Sequence, residues 1–480
     1  MNVSIIINSE KKSFFCALGN LLRRNFNCNV TYIARDIFVE DYINEFNNNN
    51  NNNIVRSDFV INSIQIPKNV TKQAVHYEKK YSVLFSYLFS MDRALGQGFF
   101  HNVGNIPHIK RSTWSYKKKL VEMIKKFILY ESLINDCDIL IQQYPDPLIT
   151  SICNYFKCKN FSLVTSRFGD RYMWSDDGYL TNNFIKSDIK KLVKSNFVSN
   201  KKINYPISGA AGLRLNLVDN SFYRSIVDAI NNIYNDTKKI LRGGYNNSYT
   251  LYGWLPNSFI RWNNARYLEK ISIYPGSITE TKFVYVTLNI EPEVSLYMMS
   301  PEFTNVYESI VVLSKSLPSD VVIVVKEHPC VLAVRTKKFY QSLLKIPNVK
   351  LASVNSVTLD WVKISTFVCT ITGSVGTEAV YNLKPVLSFG KHQLINYLPS
   401  VEYVSNYDET KKSVTKLIGI ANNDKILNVS RSCLHEVILK YTVELPEYKK
   451  VYSNSRCEYK TAKKALNHLF LQYPNIFKDI

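Results

Sequence analysis

Apolar residues along the chain fall into short unbroken runs that alternate with stretches at helical spacing. Val3-Ser4-Ile5-Ile6-Ile7 reads as a buried strand, residues 14–24 as a helix, and residues 30–34 as a second strand. Helical spacing returns over 84–95 and 120–133. The strand Asp138-Ile139-Leu140-Ile141 then ends at Gln142-Gln143-Tyr144-Pro145-Asp146-Pro147, where the prolines stop it. Phe161-Ser162-Leu163-Val164-Thr165 repeats the pattern and releases Ser166-Arg167-Phe168-Gly169-Asp170-Arg171. Polar loops at the carboxyl ends of successive strands are where open parallel sheets hold ligands. The Asn47–Asn53 run offers no core face and reads as a loop or insertion.

Residues 173–275 are rich in Asn, Tyr and Gly, with helical pieces near 185–194 and 223–241. From residue 283 the alternation is sharp: strands at 283–288, 321–325, 349–351, 367–371 and 386–389, separated by helices at 303–317, 358–365 and 375–383. That order describes an α/β doubly wound sheet. We expect an N-terminal Rossmann-like domain over 1–275 and a second over 276–425. A helical tail over 426–480, with helices at 435–439 and 462–471, would pack back on the first. At 480 residues the chain exceeds the length at which one core usually keeps growing, so a cleft between two domains is expected.

Charge narrows the partners. Sixty Lys and Arg against 39 Asp and Glu give a formal +21, partly in runs such as Lys117-Lys118-Lys119, Lys190-Lys191 and Lys201-Lys202. The excess suits a lipid headgroup, an anionic glycan or a sugar nucleotide. Nucleic acid is not expected, because no sustained basic helix, zinc finger or aromatic RNP-like strand accompanies it. There is no long apolar span and no secretory-type start, so a cytoplasmic protein is expected. The nine cysteines form no CxxC pair and read as reduced thiols rather than zinc ligands.

Two turns carry the candidate chemistry. Thr372-Gly373-Ser374-Val375-Gly376 follows an apolar strand and precedes a helical run, so its amides and hydroxyls would converge on a phosphate. Glu378, one helical turn after Ser374, would meet ribose hydroxyls. Lys326-Glu327-His328-Pro329 ends a second apolar strand, and His328 would donate to a phosphate or a departing oxygen. Lys326, Arg335 and Lys384 are further cations for charge neutralisation. Glu291 and Glu293, either side of Pro292, are expected to face the cleft and orient or deprotonate a hydroxyl. Asp92-Arg93-Ala94-Leu95-Gly96-Gln97-Gly98 supplies Asp92 as a base or substrate anchor, with Arg93 pairing it or an anionic sugar. No Walker loop, zinc helix, nucleophile elbow or early dinucleotide turn occurs. The isolated Asp136-Cys137-Asp138 enters a strand instead of leaving one, so no metal is assigned to it.

The chain resembles the bacterial capsule polysaccharide biosynthesis family of glycosyltransferases, related to the Kdo transferases of capsule export. The matching segments are 285–293 with Ser295, Leu317-Pro318-Ser319-Asp320 leading to 326–329, and 372–379 followed by 384–390. The resemblance is weaker over the first 270 residues. It implies a GT-B build of two Rossmann-like domains facing across a cleft, with the donor nucleotide held mostly by the second. It also implies donor-phosphate contacts from His328, Thr372, Gly373 and Ser374. Relatives using CMP-activated acidic sugars need no metal, so no cofactor is expected beyond the donor, with a CMP-sugar favoured and a UDP-sugar possible. The acceptor would be a surface polysaccharide or lipid-linked glycan at the inner face of the cytoplasmic membrane, with anionic lipids as a peripheral contact. A nucleotide-sugar epimerase or hydrolase of similar build, and a non-catalytic glycan- or nucleotide-binding component of a capsule assembly complex, are the alternatives.

Overall fold

The computed structural model describes residues 1–8, 11–48, 53–65, 68–92, 95–96, 114–199, 203, 205, 222–241, 254–278, 282–291, 293–328, 332, 334–449 and 455–476. Six strands of the first sheet come in order: β1 (Asn2–Ile7), β2 (Asn29–Ala34), β3 (Asn53–Arg56), β4 (Ile139–Gln142), β5 (Lys159–Thr165) and β6 (Arg171–Ser175). The second sheet holds β7 (Lys282–Thr287), β8 (Val321–Lys326), β9 (Val349–Ala352), β10 (Phe367–Thr370), β11 (Val386–Ser388) and β12 (Val401–Tyr403). A last strand, β13 (Val443–Glu444), returns to the first sheet. The orders are β13-β6-β5-β4-β1-β2-β3 and β12-β11-β10-β7-β8-β9. Every pairing in the second sheet is parallel, as buried Val- and Ile-rich strands joined by crossover helices require. Two Rossmann-like units with a helical tail are the α/β, GT-B-type architecture that the resemblance implied.

Local chemistry sets the element ends. Pro147 does more than stop β4: Asp146 accepts from the amides of Leu148 (2.9 Å) and Ile149 (3.4 Å), and Pro147 opens the helix Pro147–Phe156. Asp36 caps the helix Ile37–Phe46 in the same way, at 3.1 and 3.2 Å. Two loop expectations are corrected. Residues 166–170 form a tight hairpin, since β6 runs antiparallel to β5, with Leu163 opposite Trp174. Asn53 does not finish a loop but starts the edge strand β3, opposite Thr31, while residues 49–52 lie outside the described residues.

The helix Ser455–Gln472 lies on the helix Lys12–Phe26, with Phe470 against Phe26 at 4.5 Å between ring centres. Trp174, fully buried, donates from Nε1 to the Ala465 carbonyl at 3.0 Å and pins the tail to the first sheet. The second unit takes in the helix Trp254–Ile271 ahead of β7: Leu268 joins its core, and Ile273 bridges to Ala352 of β9. One apolar cluster runs from Ile6, Ile33 and Leu140 of the first sheet to Val284, Val325 and Leu387 of the second. It passes through Phe85 and Leu88, then Leu296 and Tyr297. Further links are Tyr179 stacked on His392 (3.9 Å) and Phe168 on Tyr381 (4.9 Å). Seven described cysteines, Cys153 and Cys369 among them, are buried free thiols. Among the described residues no helix is long and apolar enough to cross a membrane.

Candidate functional site

β7 is flanked by β8 on one side and β10 on the other, so the chain winds outward through β8 and β9 and then reverses past β7 to β10. Such a reversal leaves the loops after β7 and β10 diverging above the sheet, and ligands of open α/β folds lodge in that crevice. Here the two loops are tied across it. Asn289, after β7, donates from Nδ2 to Thr372 Oγ1, after β10, at 2.9 Å. Both residues are buried, and Asn289 Oδ1 has no hydrogen-bond partner among the described residues. A buried carbonyl oxygen left in this state costs on the order of 1–3 kcal/mol unless a ligand or water satisfies it.

Around this bridge the turn is packed too closely for larger residues. A Cβ on Gly373 would lie 2.9 Å from Thr370 Oγ1, which accepts the Gly373 amide at 2.9 Å. A Cβ on Gly376 would lie 2.7 Å from Ile395 Cδ1 and 3.0 Å from Thr370 Cγ2, so its absence lets the helix Val375–Tyr381 sit against β10. Ser374 makes no side-chain cap; it turns along the helix and donates to Glu378 Oε1 at 3.3 Å. Glu378 and Ser374 are both half-buried.

The opposite flank of β7 is built on Arg335. Its guanidinium has no exposed surface and donates to Glu291 Oε2 (2.5 Å), Glu327 Oε1 (2.6 Å) and the Asn289 carbonyl (2.7 Å). Tyr340 donates to Glu327 Oε2 at 2.8 Å, and the amides of His328 and Val306 donate to Glu327 (2.6 Å) and Glu291 (3.1 Å). Burial pushes the Glu291 carboxyl up, against the pull of Arg335, while the two carboxylates hold the Arg335 guanidinium protonated. The expectation that Glu291 faces the cleft is therefore corrected. It is fully buried, and its carboxylate is spent holding the β7 loop against Arg335.

His328 is half-buried at the end of this flank, and Pro329 lies outside the described residues. β7 stands between β8 and β10, so the turns at 328 and 372–374 follow strands that are not neighbours. They are two strand spacings apart, about 10 Å. Lys326 points toward the β9 side, donating to the Ser356 carbonyl (2.6 Å) and Thr358 Oγ1 (3.3 Å). Lys384 donates to the Ser365 carbonyl at 2.9 Å, at the amino end of β10 and thus at the far end of the sheet; burial lowers its pKa.

Of the first unit's charged candidates, Arg167 feels the second unit's Glu293 and Glu378, whereas Asp92 is tied within its own unit to Lys126. Asp92 closes the helix Phe85–Met91, accepting the Leu95 amide at 2.9 Å and Lys126 Nζ at 2.6 Å, while Arg93, Ala94, Gln97 and Gly98 lie outside the described residues. Arg167, in the β5–β6 hairpin at φ 62°, is half-buried; its pKa is lowered by desolvation and sustained by Glu293 and Glu378 of the second unit. Sequence reasoning missed Arg167 as a site residue, and likewise the bridging Asn289. The available signal was position: each follows the last residues of a strand at its carboxyl end. Asp136 and Asp138 lie at the other end of the first sheet, where Asp138 Oδ2 accepts the Asn2 amide at 2.7 Å.

Residues 249–394 match the family described as capsule polysaccharide biosynthesis protein. No curated relative matches the chain. Among solved structures, the β-Kdo 2,7-transferase KpsC of Thermosulfurimonas dismutans aligns at 14% identity over 67% of this chain and 88% of its own, with a TM-score of 0.33. The UDP-GlcNAc 2-epimerase of Methanocaldococcus jannaschii, solved with UDP-GlcNAc and UDP, aligns at 13% over 92% and 100%, TM-score 0.29. A glycosyltransferase of Rickettsia africae aligns at 9% over 96% and 98%, TM-score 0.30. At these scores the fold assignment rests on the two sheets themselves. The matched segment contains the crevice residues Asn289, Arg335 and Glu378, and the likeness to the capsule polysaccharide biosynthesis family is a likeness of residues 249–394.

Proposed function

We propose that the chain is a glycosyltransferase that moves a sugar from a nucleotide donor to a surface polysaccharide or lipid-linked glycan. The observation that carries this reading is the Asn289–Thr372 bridge at the strand-order reversal of the family-matched segment, with a buried acceptor oxygen open beside it. In this reading the Gly373 turn and the Thr372 and Ser374 hydroxyls bind the donor phosphate, and Glu378 orients the ribose. His328, on the other flank, donates to the phosphate oxygen that leaves. The acceptor hydroxyl attacks the anomeric carbon as the bond to that phosphate oxygen breaks, and its proton passes to a carboxylate, Glu293 or Asp92. Glu291 keeps the β7 loop in place rather than joining the chemistry. A CMP-activated acidic sugar is the favoured donor, since a single phosphate asks for no metal; a UDP-sugar is the other candidate. The enzyme works at the inner face of the membrane, held peripherally by anionic lipid.

His328→Ala is expected to lower kcat/KM for the donor at least tenfold, about 1.4 kcal/mol of transition-state stabilisation. Near-normal efficiency at low donor concentration would remove His328 from the phosphate. Product formed without any acceptor would replace transfer by epimerisation or hydrolysis.

A further inference from the structure

The helix Phe222–Leu241 carries more apolar surface than its own partner covers. Ala229 is buried where this helix packs on the helix Trp254–Ile271, with Phe222 against Trp262 at 5.5 Å. Beside that contact Tyr223, Val227, Ile230, Tyr234 and Leu241 remain 79, 38, 55, 65 and 82% exposed. Their steps of four, three, four and seven residues keep them within an arc of roughly 60° along about 27 Å of helix. Leu255 and Phe259 of the partner helix are exposed as well.

We propose that this helical hairpin is a membrane-docking element whose apolar stripe enters the interface of an anionic lipid surface. Two observations select lipid over a second copy of the chain. With a formal charge of +21, two copies meeting face to face would repel, whereas anionic headgroups neutralise the same charge. Tyrosines mixed with aliphatic residues on one face, with Lys238 exposed at the border, also suit the headgroup boundary. The hairpin is coupled to the crevice, because Asn264 donates from Nδ2 to the carbonyls of Leu332 (2.6 Å) and Arg335 (2.7 Å). Docking would therefore hold the site at a fixed attitude to a lipid-linked acceptor, an inference that rests on the transferase reading.

Co-sedimentation of the full chain with vesicles tests it. Wild type is expected to bind phosphatidylcholine vesicles containing about a third phosphatidylglycerol and to release on addition of salt. Ile230→Asp with Tyr234→Asp should weaken binding at least tenfold at an unchanged thermal midpoint, and Lys238→Glu should weaken it without touching the stripe. The proposal falls if wild type stays in the supernatant, or if the variants sediment as wild type does. It also falls if light scattering finds a dimer that Ile230→Asp makes monomeric. A thermal-shift panel of CMP and UDP separates the two levels. A chain stabilised by a nucleotide but indifferent to vesicles loses only the docking element; one that docks but responds to neither nucleotide keeps the element and loses the transferase assignment.

Discussion

A guanidinium without exposed surface has to be neutralised where it sits, and Arg335 has two carboxylates and a carbonyl for the purpose. Removing it would strand Glu291 and Glu327 as uncompensated buried charges. Arg335→Ala is expected to cost about 3–5 kcal/mol in urea unfolding, with Glu291→Gln in the same background recovering part of the loss. A variant within about 1 kcal/mol of wild type would mean that the network is dispensable. The sequence offers Arg335 and Glu291 as separate candidates without their relation. Two glutamates around a proline look equivalent along the chain, and only the fold gives Glu291 to Arg335 while leaving Glu293 half-buried near Arg167. Glycines were more legible. Gly373 and Gly376 follow a strand and open a helix, and close backbone approach is what both positions show.

Elements defined by long apolar periodicity were readable, because burial on both faces leaves little choice but a parallel strand or a crossover helix. The short antiparallel pieces were not. β6 and β13 are held by tertiary partners such as Arg171, which donates from Nε to Thr442 Oγ1 at 2.7 Å, and no period marks them. The tail helix Ser455–Gln472 was visible as a helix, and its packing brings a pH dependence. Burial, helped by the Arg171 charge, lowers His468 to about 4. The imidazole is thus neutral in the folded protein at pH 5 and protonated in the unfolded chain below an ordinary value of about 6.5. Its contribution is intact above that value, is lost as pH falls, and is gone below about 4. Discounted for partial exposure, the loss is about 2 kcal/mol. His468→Gln should flatten the urea midpoint between pH 7 and 4.5 relative to wild type; parallel curves for the two proteins would refute this.

At the scale of the whole molecule, alternating strands and helices foretold the doubly wound second sheet, the paired Rossmann-like build came from the resemblance, and the strand-order reversal that marks the crevice emerged with the fold. What could not be foretold is how the units meet. Contacts such as Tyr179 on His392 join residues more than 200 positions apart, and their pairing has no local signature. The apolar cluster shared by both sheets predicts that they unfold together, in one calorimetric transition whose van't Hoff and calorimetric enthalpies agree. Two resolved transitions would contradict it. Cys153 and Cys369 stand in that shared layer, one on each side of the divide, and neither is exposed by more than 2%. The chain thus carries its own pair of clocks: a thiol reagent in mild denaturant can reach either sulfur only when its surroundings part, so matched alkylation rates would mark concerted opening, and the faster sulfur would otherwise name the half that yields first.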